Sequence, residues 1–289
     1  MNQKTINNIV IKNKALINDI ANKVNDVSKI YITDVEPPYP KKGDIWFVMS
    51  EGYSEEPENP EEPDDSTPVQ DYYFRFDASK LNLTNNASVT TWSDLSENGN
   101  DLTASETAPV YMVSGLNNLP TVKFTSSPLQ KEGLTLDNVD SATVFMVGQL
   151  DAAASSTFLN IGTIGSDDSY ARRFNIKYSN SSTSIKAVIN GNNNGPTGPN
   201  ISVSEPFLFT GVYNKVKNQA YKNGVFNSEF AYTSDIGSHG ALSIGKSLYT
   251  SGYELLTGCI SEIIYFSRAL TTNELDQMHT YLLEKWGLS

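Results

Sequence analysis

The residues best suited to chemistry fall in two places. Asp94, Ser96, Asn98 and Asp101 crowd oxygen-bearing side chains around Gly99, a grouping that hard cations such as calcium favour. Asp94, Asn98 and Asp101 are therefore the candidate metal ligands. Counted from Asp94, the twelfth position is Ser105 rather than Glu, which rules out a helix–loop–helix calcium loop. A metal-free turn, in which the Asp94 carboxylate caps backbone N–H groups, accounts for the same residues, and no cofactor is then needed. The second place is a pair of loop segments, with Asp168 and Tyr170 in DDSY and Tyr249 and Tyr253 in KSLYTSGYE. Aromatic faces beside planar polar groups are what a sugar ring requires, so these four are the candidate ligand-binding residues. Ordinary rim tyrosines would read the same way.

Hydrolysis of a glycosidic bond needs two carboxylates facing one cleft. No strand of this chain carries such a pair. Glu262 stands alone among Ile260, Ile263 and Ile264 and is expected to face solvent or pair locally. Neither His239 nor His279 lies in a nucleophile or metal motif. GNNNGPTGPN (191–200) lacks a phosphate-loop lysine and opens no helix. The expectation is that the chain is not an enzyme. Trp92 and Trp286 read as structural.

The elements that must position these residues are strands. From Tyr72 onward about a dozen short β-branched and aromatic runs alternate with Gly, Asn and Ser turns, which favours an antiparallel sandwich. Asn223-Gly224, between QAYK and VF, predicts a type I′ hairpin. One helix closes the chain: Thr271 and Glu274 have capping-box spacing, and Leu270 and Leu275 sit where a hydrophobic staple needs them. Leu275, Met278, Leu282 and Trp286 form its apolar stripe, and Gly287 ends it.

Ahead of the strands the pattern differs. Ile6, Val10, Asn13, Ile17, Ile20, Val24 and Val27 recur at alternating spacings of four and three, a heptad seam. β-Branched residues at both seam positions favour three or more strands, and a polar seam residue such as Asn13 fixes register. The expectation is a homotrimeric coiled coil over 1–32. Residues 33–53 hold a short apolar strand, Ile45–Val48, after a Pro-rich turn, and read as a small hairpin or collar. Residues 54–69 are an acidic, Pro-rich linker. Its prolines at 57, 60 and 63 match the three-residue turn of polyproline II, which like charges extend further. Of the net charge of −12, eight acids lie between 51 and 65 with no Lys or Arg among them. The rest is nearly balanced, so neither nucleic acid nor an anionic membrane is an expected partner. One cysteine permits no intrachain disulfide, and no apolar run is long enough to span a membrane. The N-terminus lacks a signal-peptide core.

The segment from Pro40 to Phe47, P-x-x-G-D-I-W-F, resembles one that recurs in phage tail and fibre proteins just after a coiled coil. Residues 70–289 resemble the concanavalin A-like, laminin-G-like jelly rolls. The turn Trp92–Asp101, the runs Leu119–Phe124 and Ala142–Val147, and the closing strand and helix from Gly258 to Leu288 carry that resemblance. The chain departs from it at Glu97, where that family has glycine. Together they imply a mainly β protein with a jelly-roll sandwich and closing helix, preceded by the helical segment and collar. The implied function is a phage virion protein, a tail- or head-fibre subunit displaying a lectin-like domain towards host-surface glycans. Its partners would be itself as a trimer and other virion proteins. It would be made in the host cytoplasm and released by lysis into the virion. The alternatives are a non-adhesive capsid or tail decoration protein, and a carbohydrate-binding module of a cellular protein.

Overall fold

A computed structural model describes residues 30–33, 45–48, 67–105, 107–165, 174–191, 195–248 and 254–289. The chain divides into two compact units, 1–65 and 66–289. In the first, β1 (Ile30–Thr33) pairs with β2 (Ile45–Val48) in parallel register, Ile30 opposite Ile45. The expected collar strand is present, but its partner is parallel, so the pair is not a hairpin. Residues 30–32, which periodicity puts at the end of the helix, belong with Thr33 to a strand. A run of Ile-Tyr-Ile-Thr suits a pleated surface as well as a seam, and Pro37 and Pro38 follow closely. The seam residues Ile6 to Val27 and most of the acidic linker lie outside the described residues.

The second unit is a sandwich. Its strands are β3 (Phe74–Asp77), β4 (Thr91–Trp92), β5 (Leu102–Ala104), β6 (Val110–Leu116) and β7 (Leu119–Thr125). Then come β8 (Leu129–Val139), β9 (Ala142–Leu150), β10 (Ser156–Gly162), β11 (Phe174–Ser179) and β12 (Ser184–Ile189). The last are β13 (Pro206–Tyr213), β14 (Lys217–Lys222), β15 (Val225–Ala231), β16 (Gly237–Ile244) and β17 (Thr257–Phe266), followed by helix α1 (Thr272–Trp286). One sheet has the order β12-β11-β10-β16-β8-β5-β4. The other runs β15-β14-β13-β9-β17-β7-β6, with β3 also paired to β17. Every pairing in the two sheets is antiparallel. The fold is the mainly β jelly-roll-like sandwich with a closing helix that the sequence implies.

The inner faces of both sheets meet in one core, to which Phe74, Phe76, Trp92, Phe124, Phe158, Phe174 and Tyr265 contribute. A second apolar cluster covers the outer face of the β17 sheet. There Phe145, Val147, Leu208, Val212, Ile264 and Phe266 receive Leu275, Met278, Leu282 and Trp286 of α1. Both ends of α1 are as its sequence predicts. Thr271 and Glu274 form a reciprocal capping box, and Gly287 sits in the left-handed region at φ 59°. Gly287 N–H donates to the Glu284 carbonyl and Leu288 N–H to that of Leu283. The hairpin at Asn223-Gly224 has both residues at positive φ, 49° and 75°, as a type I′ turn requires. Among the described residues the layers are helix, sheet, sheet, with α1 over the outer face of the β17 sheet. Among the described residues no helix is long and apolar enough to cross a membrane.

Candidate functional site

Glu262 is neither solvent-facing nor alone. β17 is buried on both faces, because α1 covers its outer side. Its register partner on β3 is Asp77, and both side chains are fully buried. Two buried carboxylates side by side cannot remain charged unless cations neutralise them. Arg75 supplies one, donating from Nε to Glu262 at 2.8 Å and from a terminal nitrogen to Asp77 at 3.1 Å. Lys285 of α1 supplies the other, with Nζ 3.1 Å from Glu262 and also bonded to Asp77. Trp286 Nε1 donates to the second Glu262 oxygen at 2.7 Å. Burial, and then the neighbouring Asp77 carboxylate, raise the Glu262 carboxyl above the usual carboxylate range despite these cations. Coulombic attraction to Glu262 and Asp77 holds Lys285 protonated well above an ordinary lysine, against the opposing effect of burial. This is a two-anion, two-cation lock between helix and sheet.

The candidate metal ligands come together, each with protein partners. The Asp94 carboxylate accepts from the backbone N–H groups of Arg75 (3.0 Å), Ser96 (2.9 Å) and Asn100 (2.9 Å), and from the Ser96 hydroxyl (2.6 Å). Asp101 accepts from Asp94 N–H at 2.8 Å. Asn98 Nδ2 donates to the Tyr73 carbonyl at 2.9 Å. The arrangement is a capped turn that ties β3 to the segment after β4. Among the described residues no group of three or more His, Cys, Asp or Glu side chains is placed to hold a metal ion.

Asp168, Tyr170, Tyr249 and Tyr253 lie outside the described residues. The described residues just before the two segments are joined: Gly165 N–H donates to the Leu248 carbonyl at 3.4 Å. Leu248 N–H in turn donates to Asn160 Oδ1 at 3.1 Å, and the Ser247 hydroxyl lies 3.4 Å from the same oxygen. Ser247 and Leu248 thus lie against the outer face of the β10–β16 sheet.

That face carries a polar row. By register, Gln130 of β8, Ser243 of β16, Asn160 of β10 and Asn175 of β11 are successive neighbours across the sheet. Ser243, Asn160 and Asn175 are fully buried. Both polar atoms of the Asn175 amide lack any hydrogen-bond partner, a state rarely tolerated in a folded protein without a use. Lys177, Thr157 and Lys186 form the adjoining row. Glu254 links two of them, accepting from Thr157 Oγ1 at 3.1 Å and lying 3.5 Å from Lys177 Nζ. Lys186 is half-buried, and burial followed by repulsion from Lys177 lowers its pKa. Sequence reasoning missed this site. Its only signal was Asn and Lys at the outward positions of FNIKYS and SIKAVI, a pattern shared with any solvated strand face.

No protein-family model matches the chain, and no curated protein matches it. Among solved structures, a Trypanosoma rangeli sialidase mutant displaying trans-sialidase activity superposes with a TM-score of 0.55 at 10% identity, over 78% of this chain and 35% of that one. A mutant of HCR/D gives 0.51 at 12% identity, over 76% of this chain and 56% of the other. A heptameric SAP-like pentraxin from Limulus polyphemus gives 0.42 at 19% identity, over 53% of this chain and 74% of the other. The chain spans about a third of the length of the sialidases it matches. At these identities the likeness is one of fold alone, a jelly-roll-like sandwich. It also corrects the expectation that the chain is not an enzyme. Sialidases carry this fold, and a missing carboxylate motif within it is no ground for excluding catalysis. The likeness in fold assigns no reaction either.

Proposed function

We propose that the chain is a fibre subunit of a bacteriophage virion whose jelly-roll unit binds host-surface glycans. The observation that supports it is the contrast between the two outer faces. One is covered by α1, while the other carries a polar row of Gln130, Ser243, Asn160 and Asn175 beside Lys177 and Lys186. Ring hydroxyls are matched by such amide, hydroxyl and ammonium groups. The division into two units, with an acidic, Pro-rich stretch at their junction, suits a subunit that assembles at one end and presents at the other. The proposed assembly is a homotrimer through the Ile6–Val27 seam, attached to other virion proteins. Binding of the full chain to a glycan array and to host cells tests adhesion. Absence of binding to both would refute it. Light scattering tests the assembly, with a mass three times that of the chain as the expected result.

One observation favours the second reading, a decoration protein packed on other virion proteins. Edge strand β15 exposes Val225, Phe226 and Phe230, an apolar edge of the kind that pairs with other chains. Substituting Phe226 and Phe230 by Ser should then abolish incorporation into particles while glycan binding persists.

A further inference from the structure

We infer that Lys285 and Asp77 condense into an amide, a covalent link from helix α1 to strand β3, with Glu262 and Arg75 assisting the step. The inference concerns the buried cluster under α1 and is independent of the glycan-binding reading.

The cluster holds an amine against a carboxyl where water does not reach. Lys285 Nζ is bonded to Asp77 Oδ2 and lies 3.1 Å from Glu262. The Asp77 and Glu262 side chains are 0% exposed, and those of Arg75 and Lys285 are 5% and 15% exposed. The carboxylates that meet Lys123, Lys177, Lys215, Lys217 and Lys222 are all 20% exposed or more, and those pairs remain simple ion pairs. Holding two reactants in fixed contact supplies much of what a condensation needs. Exclusion of water withholds what would hydrolyse the product.

The bond formed joins Lys285 Nζ to Asp77 Cγ, and the bond broken is Asp77 Cγ–Oδ2. Two protons leave the nitrogen and reach Oδ2, which departs as water; nothing is oxidised or reduced. Glu262 carries these protons in turn and ends as it began. Its carboxyl lies against Nζ, and burial has raised it above the ordinary carboxylate range. Negative charge that develops on Asp77 Oδ1 meets the Ser79 N–H at 2.8 Å and the Ser79 hydroxyl at 2.6 Å. A terminal nitrogen of Arg75, 3.1 Å from Oδ2, polarises the breaking bond.

The product is favoured by what it removes. Four buried ions become one pair, Arg75 with Glu262 at 2.8 Å, and each buried ion carries a desolvation penalty that a neutral amide does not. The same two carboxylates hold Lys285 protonated, so free amine is scarce and the step is slow. Freshly folded chain therefore carries the ion pair, and the link accumulates with time. Once formed, it ties the first strand of the unit to its last helix.

The test is the intact mass of the full chain, fresh and after several weeks at neutral pH, followed by tryptic peptide mapping. The expected result is a loss of one water, with a branched peptide joining the Asp77 and Lys285 segments and no cleavage after Lys285. Lys285→Arg keeps the cation but cannot condense, and should retain its full mass. Asp77→Asn should lose one ammonia in place of one water. Glu262→Gln lacks the proton carrier and should stay unlinked over the same period. An aged wild-type chain of full mass overturns the inference, as does a water loss that maps to other residues or persists in Lys285→Arg. A Glu262→Gln chain that links as fast as wild type overturns the role given to Glu262.

Discussion

Replacing Lys285 by Met removes one of the two cations that neutralise Asp77 and Glu262. Both carboxylates are fully buried, and the Lys285 side chain is only 15% exposed, so water cannot substitute for it. Breaking a buried ion pair from one side costs about 3–5 kcal/mol. At about 2–4 °C per kcal/mol for a domain of this size, Tm should fall by roughly 6–20 °C at pH 7. The pH dependence separates this cause from lost packing of the lysine stem. Glu262 already has a raised folded-state pKa, and loss of Lys285 raises it further. A carboxyl with a raised folded pKa contributes its full stability below the unfolded value and loses it as pH rises through the folded one. The variant's deficit should therefore be small near pH 4.5 and grow towards pH 7. Thermal unfolding of wild type and variant at both pH values, followed by circular dichroism, measures it. A deficit below about 1 kcal/mol at pH 7, or one equal at both pH values, would show that Glu262 is not charged in the native lock.

His279, packed between Phe145, Tyr221 and the Thr210 hydroxyl at 3.0 Å, is depressed by burial to about 4. Its neutral form contributes stability above pH 6.5 that is lost as pH falls towards 4, by up to roughly 3 kcal/mol. His279→Gln should flatten that part of the Tm–pH curve relative to wild type. Asp94→Ala strips three backbone N–H groups and a hydroxyl of their acceptor and should cost about 2 kcal/mol in urea unfolding. With these donors holding Asp94, chelator treatment should leave wild-type Tm unchanged; a drop of several degrees would assign a cation to the turn. Gly224→Ala forces a left-handed residue and brings Cβ to 3.4 Å from His279, with an expected loss of about 1 kcal/mol.

What sequence could convey was local. The capping box, the Asn223-Gly224 turn and the apolar runs of β13 and β17 act over a few residues, and each is where its pattern placed it. β8 is hard to read in the sequence because LQKEGLTLDNV carries charges and a glycine; its buried Leu129, Leu134 and Leu136 reveal it only beside β16. Glu262 was misplaced because one polar residue among isoleucines signals an outward face, and nothing within β17 announces that a helix covers that face. Asn160 and Asn175 were missed for the same reason. Their strands look half-solvated, and the partners of Asn160, Ser247 and Leu248, come from far along the chain. The seam and the four loop candidates remain proposals.

The strand at the middle of the larger sheet is the last described strand of the sandwich in chain order. β17 lies between β9 on one side and β7 and β3 on the other, so the first strand of the unit waits for the last. A nascent chain emerging from the ribosome can form the β14–β15 hairpin and most of the other sheet early. It leaves Phe74, Phe76 and Val144 without their covering partner until residue 266 is free. Topology of this kind slows folding and leaves apolar edges open meanwhile. The sandwich therefore closes only once β17 is available, and a chain cut short of β17 should aggregate rather than fold in part.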